Sequence, residues 1–188
     1  MGATSEAELW ELSRTGNGSA FGALFDLHQP RVFRAALRLS ETTSDAEDLV
    51  ASSFLELWRK RDRVRLVDES VLPWLLVTVN NLGRNAQRAR MRHRRFLATL
   101  PPPSDEDVAL DRVEELHAER DAMRLLRSLP PTDAAILVLT AFEGLSLRES
   151  AAALGISSES ARARLSRARR RTRALLDTQT FPAERTAT

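Results

Sequence analysis

Three consecutive prolines, Pro101 to Pro103, followed by Asp105, Glu106 and Asp107, interrupt an otherwise helix-favouring chain. No helix can run through Thr99–Asp107. Each proline lacks the N–H of an interior turn and clashes with the carbonyl four residues back, while the acids keep the stretch in water. The 188 residues are thereby divided into two groups, each large enough for a modest core. With only 7 glycines and few β-branched runs, helices are the expected material on both sides. The expectation is an all-α protein of two small helical domains, residues 5–96 and 112–177. A flexible proline- and acid-rich linker at 97–111 joins them, and a disordered tail occupies 178–188.

Four stretches before the linker have helical periodicity: Glu6–Arg14, Ala20–Leu39, Ser44–Lys60 and Leu72–Arg95. Pro30 should fall at a kink or a helix start. Ser44-Asp45-Ala46-Glu47 has the form of a capping box with Ser44 as the N-cap. Pro73 lies in a first turn, where its missing N–H costs little. Beyond the linker the helical stretches are 108–129, 132–143, 146–154 and 158–176. Pro130-Pro131 separates the first two, Thr132 is the expected N-cap, and Gly144 and Gly155 end the next two in left-handed turns.

The last two of these stretches have the grammar of a helix-turn-helix. Ser146 caps the first helix of the pair, Ala151 to Ala153 allow close packing, Gly155 makes the turn, Ile156 plugs the core, and Ser157 or Ser158 caps the second helix. That second helix carries seven arginines and no acid between Arg162 and Arg173, threaded by the stripe Ala161, Leu165, Ala168, Thr172 and Leu175. Such a stripe can bury one face and leave guanidinium groups outside for phosphates and guanine edges. Ser158, Glu159, Ser160, Arg162 and Arg164 would face bases, with Arg167, Arg169 and Arg170 nearer phosphates.

A net charge of +2 conceals strong segregation. Arg84–Arg95 carries six arginines and no acid, whereas Asp105–Asp121 carries eight acids against two arginines, a net of −6. Fields act over roughly 8 Å at physiological salt, so these blocks matter more than their sum. On the helix at 72–95, Leu75, Val79, Leu82, Ala86 and Ala89 form the expected buried stripe. The far side carries Asn80, Arg84, Gln87, Arg88, Met91 and Arg95, amides and arginines suited to base edges and phosphates. Trp74 reads more naturally as core than as a stacking surface. At 44–60, Asp45, Asp48, Ser52 and Glu56 share one face, opposite Ala46, Val50, Phe54, Leu57 and Trp58. Taken alone, that acidic stripe is a solvated surface.

Other classes are excluded or unsupported. The absence of cysteine rules out disulfides and thiolate metal sites, and His28, His93 and His117 are too scattered to hold a metal, so no metal or other cofactor is expected. No catalytic triad, phosphate-cradling glycine loop or paired-carboxylate pocket stands out, so the chain is not read as an enzyme. No apolar run approaches the roughly 18 residues of a membrane span, and the acidic N-terminus has no secretory character, which together suggest a cytoplasmic protein.

The chain resembles an RNA polymerase sigma factor of the extracytoplasmic-function (group IV, sigma-70 family) type. Asp45-Ala-Glu-Asp-Leu-Val50 with Phe54-Leu-Glu-Leu-Trp58-Arg59 resembles the family's region 2.2, and Pro73-Trp74-Leu75 through Asn81-Leu82 with the arginine run resembles regions 2.3 and 2.4. Leu129-Pro130, Glu143-Gly144-Leu145-Ser146, Leu154-Gly155-Ile156 and Arg164-Leu165-Ser166-Arg167-Ala168-Arg169 resemble region 4. The resemblance implies a transcription-initiation specificity subunit whose partners are core polymerase, through its clamp helices and flap, and promoter DNA. An anti-sigma partner is common in such a family, although nothing in this sequence identifies one. Asp45, Glu47, Asp48 and Glu56 would face the polymerase. Asn80, Asn81, Arg84, Gln87 and Arg88 would lie along a single-stranded −10 element, with a flipped base captured at Arg61–Ser70. Ser158, Glu159, Ser160, Arg162, Arg164, Arg167 and Arg169 would read a duplex −35 element. The rival expectation is a helix-turn-helix regulator that acts without polymerase; a sigma-like decoy without promoter output is a third.

Overall fold

A computed structural model describes residues 4–97, 126 and 128–180. The linker expected at 97–111 and the helix at 108–129 therefore lie almost wholly outside the described residues, as does the tail beyond 180. The described residues form seven helices: α1 (Glu6–Arg14), α2 (Gly18–Leu37), α3 (Thr43–Arg59), α4 (Leu72–Leu97), α5 (Pro131–Ala141), α6 (Leu147–Ala153) and α7 (Ser158–Thr180). Among them the only extended pairing is an isolated bridge between Val67 and Ser70. Helix α7 continues three residues past Asp177, so the predicted disordered tail begins too early.

Several caps fall where short polar side chains meet free N–H groups, though not always at the expected residue. Ser5 and Ser146 each form a full capping box, with Glu8 and Glu149 reaching back. Helix α3 is capped by Thr42, whose Oγ1 accepts from Asp45 N at 3.1 Å; Ser44 is already inside the helix. Helix α5 starts at Pro131 and has no side-chain cap, because the capping position is held by Pro130, whose side chain has no acceptor. Thr132 is therefore not its N-cap. Ser157 caps α7, its Oγ accepting from Ser160 N at 3.1 Å. Gly144 and Gly155 adopt φ of +68° and +65°, as the sequence requires of them.

Pro30 does not start a helix, since α2 runs through it. An interior proline costs about 3 kcal/mol. Here Leu24 on one side and Val32, Ala35 and Ala36 on the other are all buried in the same core, and tertiary packing holds the helix across the exposed break.

The first core gathers Trp10, Leu24, Val32, Phe54, Leu57, Leu75, Leu76 and Val79 from α1 to α4. Phe21 meets Trp58 edge-on at 5.0 Å, and Phe25 lies 4.7 Å from Phe54. Trp74 packs against this core, as expected. Gly83 lets α4 approach the end of α2, because a Cβ there would sit 2.7 Å from Leu39 Cβ. The second core joins Leu129, Ala134, Ile136, Leu137, Ala151, Ala161, Leu165 and Ala168.

The two groups also share buried surface. Leu139 and Leu145, both from the second group, are buried within the first core. Glu143 is 7% exposed; its carboxylate pairs with Arg38, and its backbone carbonyl accepts from Arg31 Nη2. Arg148 reaches Asp68 at 2.6 Å. In this state the groups are packed together, not simply tethered.

Candidate functional site

Helix α7 presents its arginines unevenly. Ala161, Leu165 and Ala168 are buried, so the stripe does anchor the helix, but Leu175 is already 37% exposed and the stripe opens towards the C-terminus. Arg162, Arg169, Arg170, Arg171 and Arg173 are exposed, as are Ser158 and Glu159 at the start of the helix, while Ser160 is half-buried. Arg162, Arg169, Arg170 and Arg173 line a shallow depression with Leu165 and Ser166. Arg164 and Arg167 behave differently. Arg164 Nη1 donates to Asp133 Oδ1 at 3.2 Å and Arg167 Nε donates to Asp133 Oδ2 at 3.4 Å. Arg164 Nε also donates to Ser160 Oγ at 3.2 Å. Asp133 lies in the first turn of α5 and is 2% exposed. A buried carboxylate absent from the expected site thus holds two of the seven arginines. Its sequence signal was a lone acid in the apolar run Thr132–Ala141.

The five residues expected along a −10 element do not share one open face of α4. Asn81 and Arg88 are exposed. Asn80 is 4% exposed and its Nδ2 has no partner among the described residues, so the periodic assignment to the far side fails there. The stripe also surfaces at Ala89, which is exposed. Gln87 Nε2 donates to the Leu39 carbonyl at 3.0 Å, capping the end of α2. Arg84 reaches the Pro131 carbonyl of α5 at 3.5 Å, and burial together with the neighbouring Arg88 lowers its pKa. Arg84 remains a cation, because arginine starts so high. Helices α5 and α6 pack on α4 here, and Arg84 meets α5 directly.

The acidic face of α3 is partly self-neutralised. Glu56 pairs with Lys60 at 2.6 Å, which lowers its carboxyl pKa, and Asp45 lies 3.6 Å from Arg90. Glu47 and Asp48 are exposed and make no ion pair among the described residues. Leu55, 55% exposed, shares the outer face with Asp48, Ser52 and Glu56 and places an apolar group among the acids. That contribution is invisible when only the charged positions of the wheel are read.

Residues 61–70 do not form a free loop. Val64 is buried, Leu66 packs on the first core, and Arg61 lies 4.5 Å over the Trp58 ring. Val67 and Ser70 exchange backbone hydrogen bonds of 3.0 and 3.2 Å around Asp68 and Glu69, whose φ values are +50° and +62°. Two adjacent non-glycine residues in the left-handed region store strain of about 1 kcal/mol or more each. The turn is fixed from below by Glu6, whose Oε1 accepts from Val71 N and from His28 Nε2, both at 2.8 Å. Burial alone would raise the Glu6 pKa, but the hydrogen bonds from His28 and Val71 and the His28 charge outweigh it, leaving the carboxyl below its usual 4.5.

No helix of the described residues is long and apolar enough to cross a membrane. The surfaces are two basic helices, an acidic-apolar face and a strained turn. Such an arrangement can bind polyanions and a basic protein partner.

Comparison with known proteins assigns the pieces. The family model for sigma-70 region 2 matches residues 24–93, and that for sigma-70 region 4 matches residues 119–172. The probable RNA polymerase sigma factor RfaY of Xanthomonas campestris pv. campestris is 33% identical over 164 residues, which is 82% of this chain but 40% of RfaY. The ECF RNA polymerase sigma factor SigM of Mycobacterium tuberculosis is 30% identical over 172 residues, 92% of this chain and 85% of SigM. Among solved structures, CnrH in complex with the cytosolic domain of CnrY matches with a TM-score of 0.64 at 26% identity, covering 92% of this chain and 97% of that one. The sigma factor RpoE in complex with the anti-sigma factor NepR, from Bartonella quintana, matches with a TM-score of 0.54 at 25% identity, covering 84% and 96%. With region 2 on α2 to α4, region 4 on the helix-turn-helix, and a relative matched along nearly its whole length, the chain belongs to the extracytoplasmic-function class of sigma-70-family RNA polymerase sigma factors.

Proposed function

We propose that this chain binds core RNA polymerase and directs initiation at promoters with a −10 element read as single strand and a −35 element read as duplex, with no chemistry of its own. The observation that carries this reading is the pairing of a region 2 fold with a region 4 helix-turn-helix, each presenting exposed arginines from a buried apolar stripe. Asp48 and Glu47, with Leu55 between the acids, form the face offered to the polymerase clamp; Asp45 and Glu56 border it, already paired. Asn81 and Arg88 are the −10 residues accessible in the packed state, and Asn80, Arg84 and Gln87 join them only after rearrangement. Arg162 and Arg169 lead at the −35 element, with Ser158, Glu159 and Ser160 at the entering end of α7. The protein acts in the cytoplasm, where polymerase is.

The packed arrangement cannot serve both elements at once. Elements about 25 base pairs apart are separated by roughly 85 Å of duplex at 3.4 Å per step. A compact body of this length has a radius of gyration of about 16 Å. The two groups therefore part on the polymerase, which frees Arg84 from the Pro131 carbonyl. Held on one scaffold, two weak contacts then act through effective concentration. In the unbound state, an anti-sigma partner like those of the matched structures would hold the closed form.

Co-purification with core polymerase followed by run-off transcription tests this reading. Retention on polymerase with promoter-dependent transcripts supports it. Retention without transcripts points to a decoy. Tight binding of free duplex without polymerase points to an independent regulator.

A further inference from the structure

We infer that Asp133 is a positioning residue for the recognition helix: it withholds Arg164 and Arg167 from DNA and fixes the rotation of α7, leaving Arg162 and Arg169 to do the reading. The inference rests on α7 meeting duplex DNA and refines which of its residues do so. Asp133 is 2% exposed and stands in the first turn of α5, where the helix dipole favours a carboxylate. Its two oxygens are divided between two guanidinium groups one turn apart, at 3.2 Å and 3.4 Å. Arg164 is further tied to Ser160 within its own helix. A carboxylate that accepts from both i and i+3 of a facing helix sets that helix's rotation as well as its distance. Alanines Ala161 and Ala168 on the packed face provide no other directional contact. Rotation decides which side chains reach the groove, so Asp133 selects the reading set without itself touching DNA. Arg162 and Arg169 are seven residues apart, nearly two full turns, and so lie on nearly the same face of the helix.

Counterion release separates this from a direct role for Arg164 and Arg167. Each phosphate neutralised contributes about 0.9 to the slope of log K against log salt on duplex DNA. The full chain and its variants are titrated onto a random-sequence duplex over a salt series. Arg162→Ala and Arg169→Ala should each lower the slope by about 0.9, while Arg164→Gln and Arg167→Gln leave it as in the wild type. In a second measurement, the chain on core polymerase selects from a promoter pool randomised at the upstream element. Asp133→Asn should weaken the selected preference by roughly fivefold or more, the effect of one misplaced base contact, whereas Arg164→Gln and Arg167→Gln, each retaining one partner for Asp133, keep it. A slope decrease of about 0.9 in Arg164→Gln or Arg167→Gln overturns the inference, as does an unchanged preference in a folded Asp133→Asn. If Asp133→Asn does not fold, the slopes of the two arginine variants decide. If Arg162→Ala and Arg169→Ala leave the slope unchanged, it is the assignment of α7 to DNA that fails.

Discussion

Arg38→Ala should open the packed state. Glu143 carries a side chain only 6% exposed, and its charge is met by Arg38, which is itself 36% exposed. Because Arg38 is more than a third exposed, water screens the pair, and the interaction itself is worth about 1 kcal/mol, not the value for a fully buried pair. Removing Arg38 also leaves a buried carboxylate short of a partner, which costs about 1–3 kcal/mol in the closed form and nothing once Glu143 reaches water. Arg31 still holds the Glu143 backbone carbonyl, and Leu139 and Leu145 remain buried in the first core, so the domains are loosened, not released. A net shift of about 1–2 kcal/mol moves the closed–open equilibrium roughly 5–30-fold. The chain has no cysteine, so two introduced at the exposed Ser19 and Ser166 can be labelled cleanly for fluorescence energy transfer. Arg38→Ala should populate a low-transfer state at an unchanged far-UV spectrum. Glu143→Gln, which keeps the shape and removes the charge, should do so less. The same transfer distribution in the wild type and both variants would refute the coupling of this ion pair to domain packing.

Gly83→Ala should destabilise by about 1–2 kcal/mol in thermal unfolding: the added methyl meets Leu39 Cβ at 2.7 Å, and overpacking of about 1–3 kcal/mol exceeds the helix-propensity gain of about 1 kcal/mol. Glu6 has a depressed folded pKa, so its contribution is complete above the usual 4.5 and is lost as pH falls through the folded value; Glu6→Gln should flatten that acid limb of a stability–pH curve, and an unchanged limb counts against the Glu6–His28–Val71 anchor. Asp48→Arg, on the exposed acidic face, should weaken binding to core polymerase on the order of tenfold with no change in melting temperature; equal affinity would move the polymerase contact elsewhere.

Much of the fold could be read directly from local chemistry. The helix-turn-helix was legible because Ser146, Gly155 and the alanine stripe each act within a few residues, and the φ of Gly155 follows from its place in the turn. The caps at Thr42 and Ser157 were blurred because neighbouring Thr and Ser side chains offer the same oxygen within a residue or two. The continuity of α2 through Pro30 was only partly legible, because the proline's penalty is local while Val32 and Ala36, which outweigh it, act through a core assembled from distant segments. The site followed the same division. Runs of arginine announced both basic helices, yet which arginines are available depended on partners 31 and 34 positions away for Arg164 and Arg167. Helical periodicity put Asn80 and Arg88 on one face of α4, but Asn80 is buried and Arg88 exposed. Periodicity describes a helix alone and carries no information on what else packs against it.

The most direct test is run-off transcription by core polymerase with the purified chain on three templates: both promoter elements intact, the upstream element scrambled, and the downstream element scrambled. Permanganate reactivity of the non-template strand is read alongside. Bipartite recognition predicts strong transcription only from the intact template, with non-template thymines around −10 reactive only when chain and polymerase are both present. Output no higher than that of core polymerase alone, with the free chain protecting a two-fold symmetric duplex site, would contradict it.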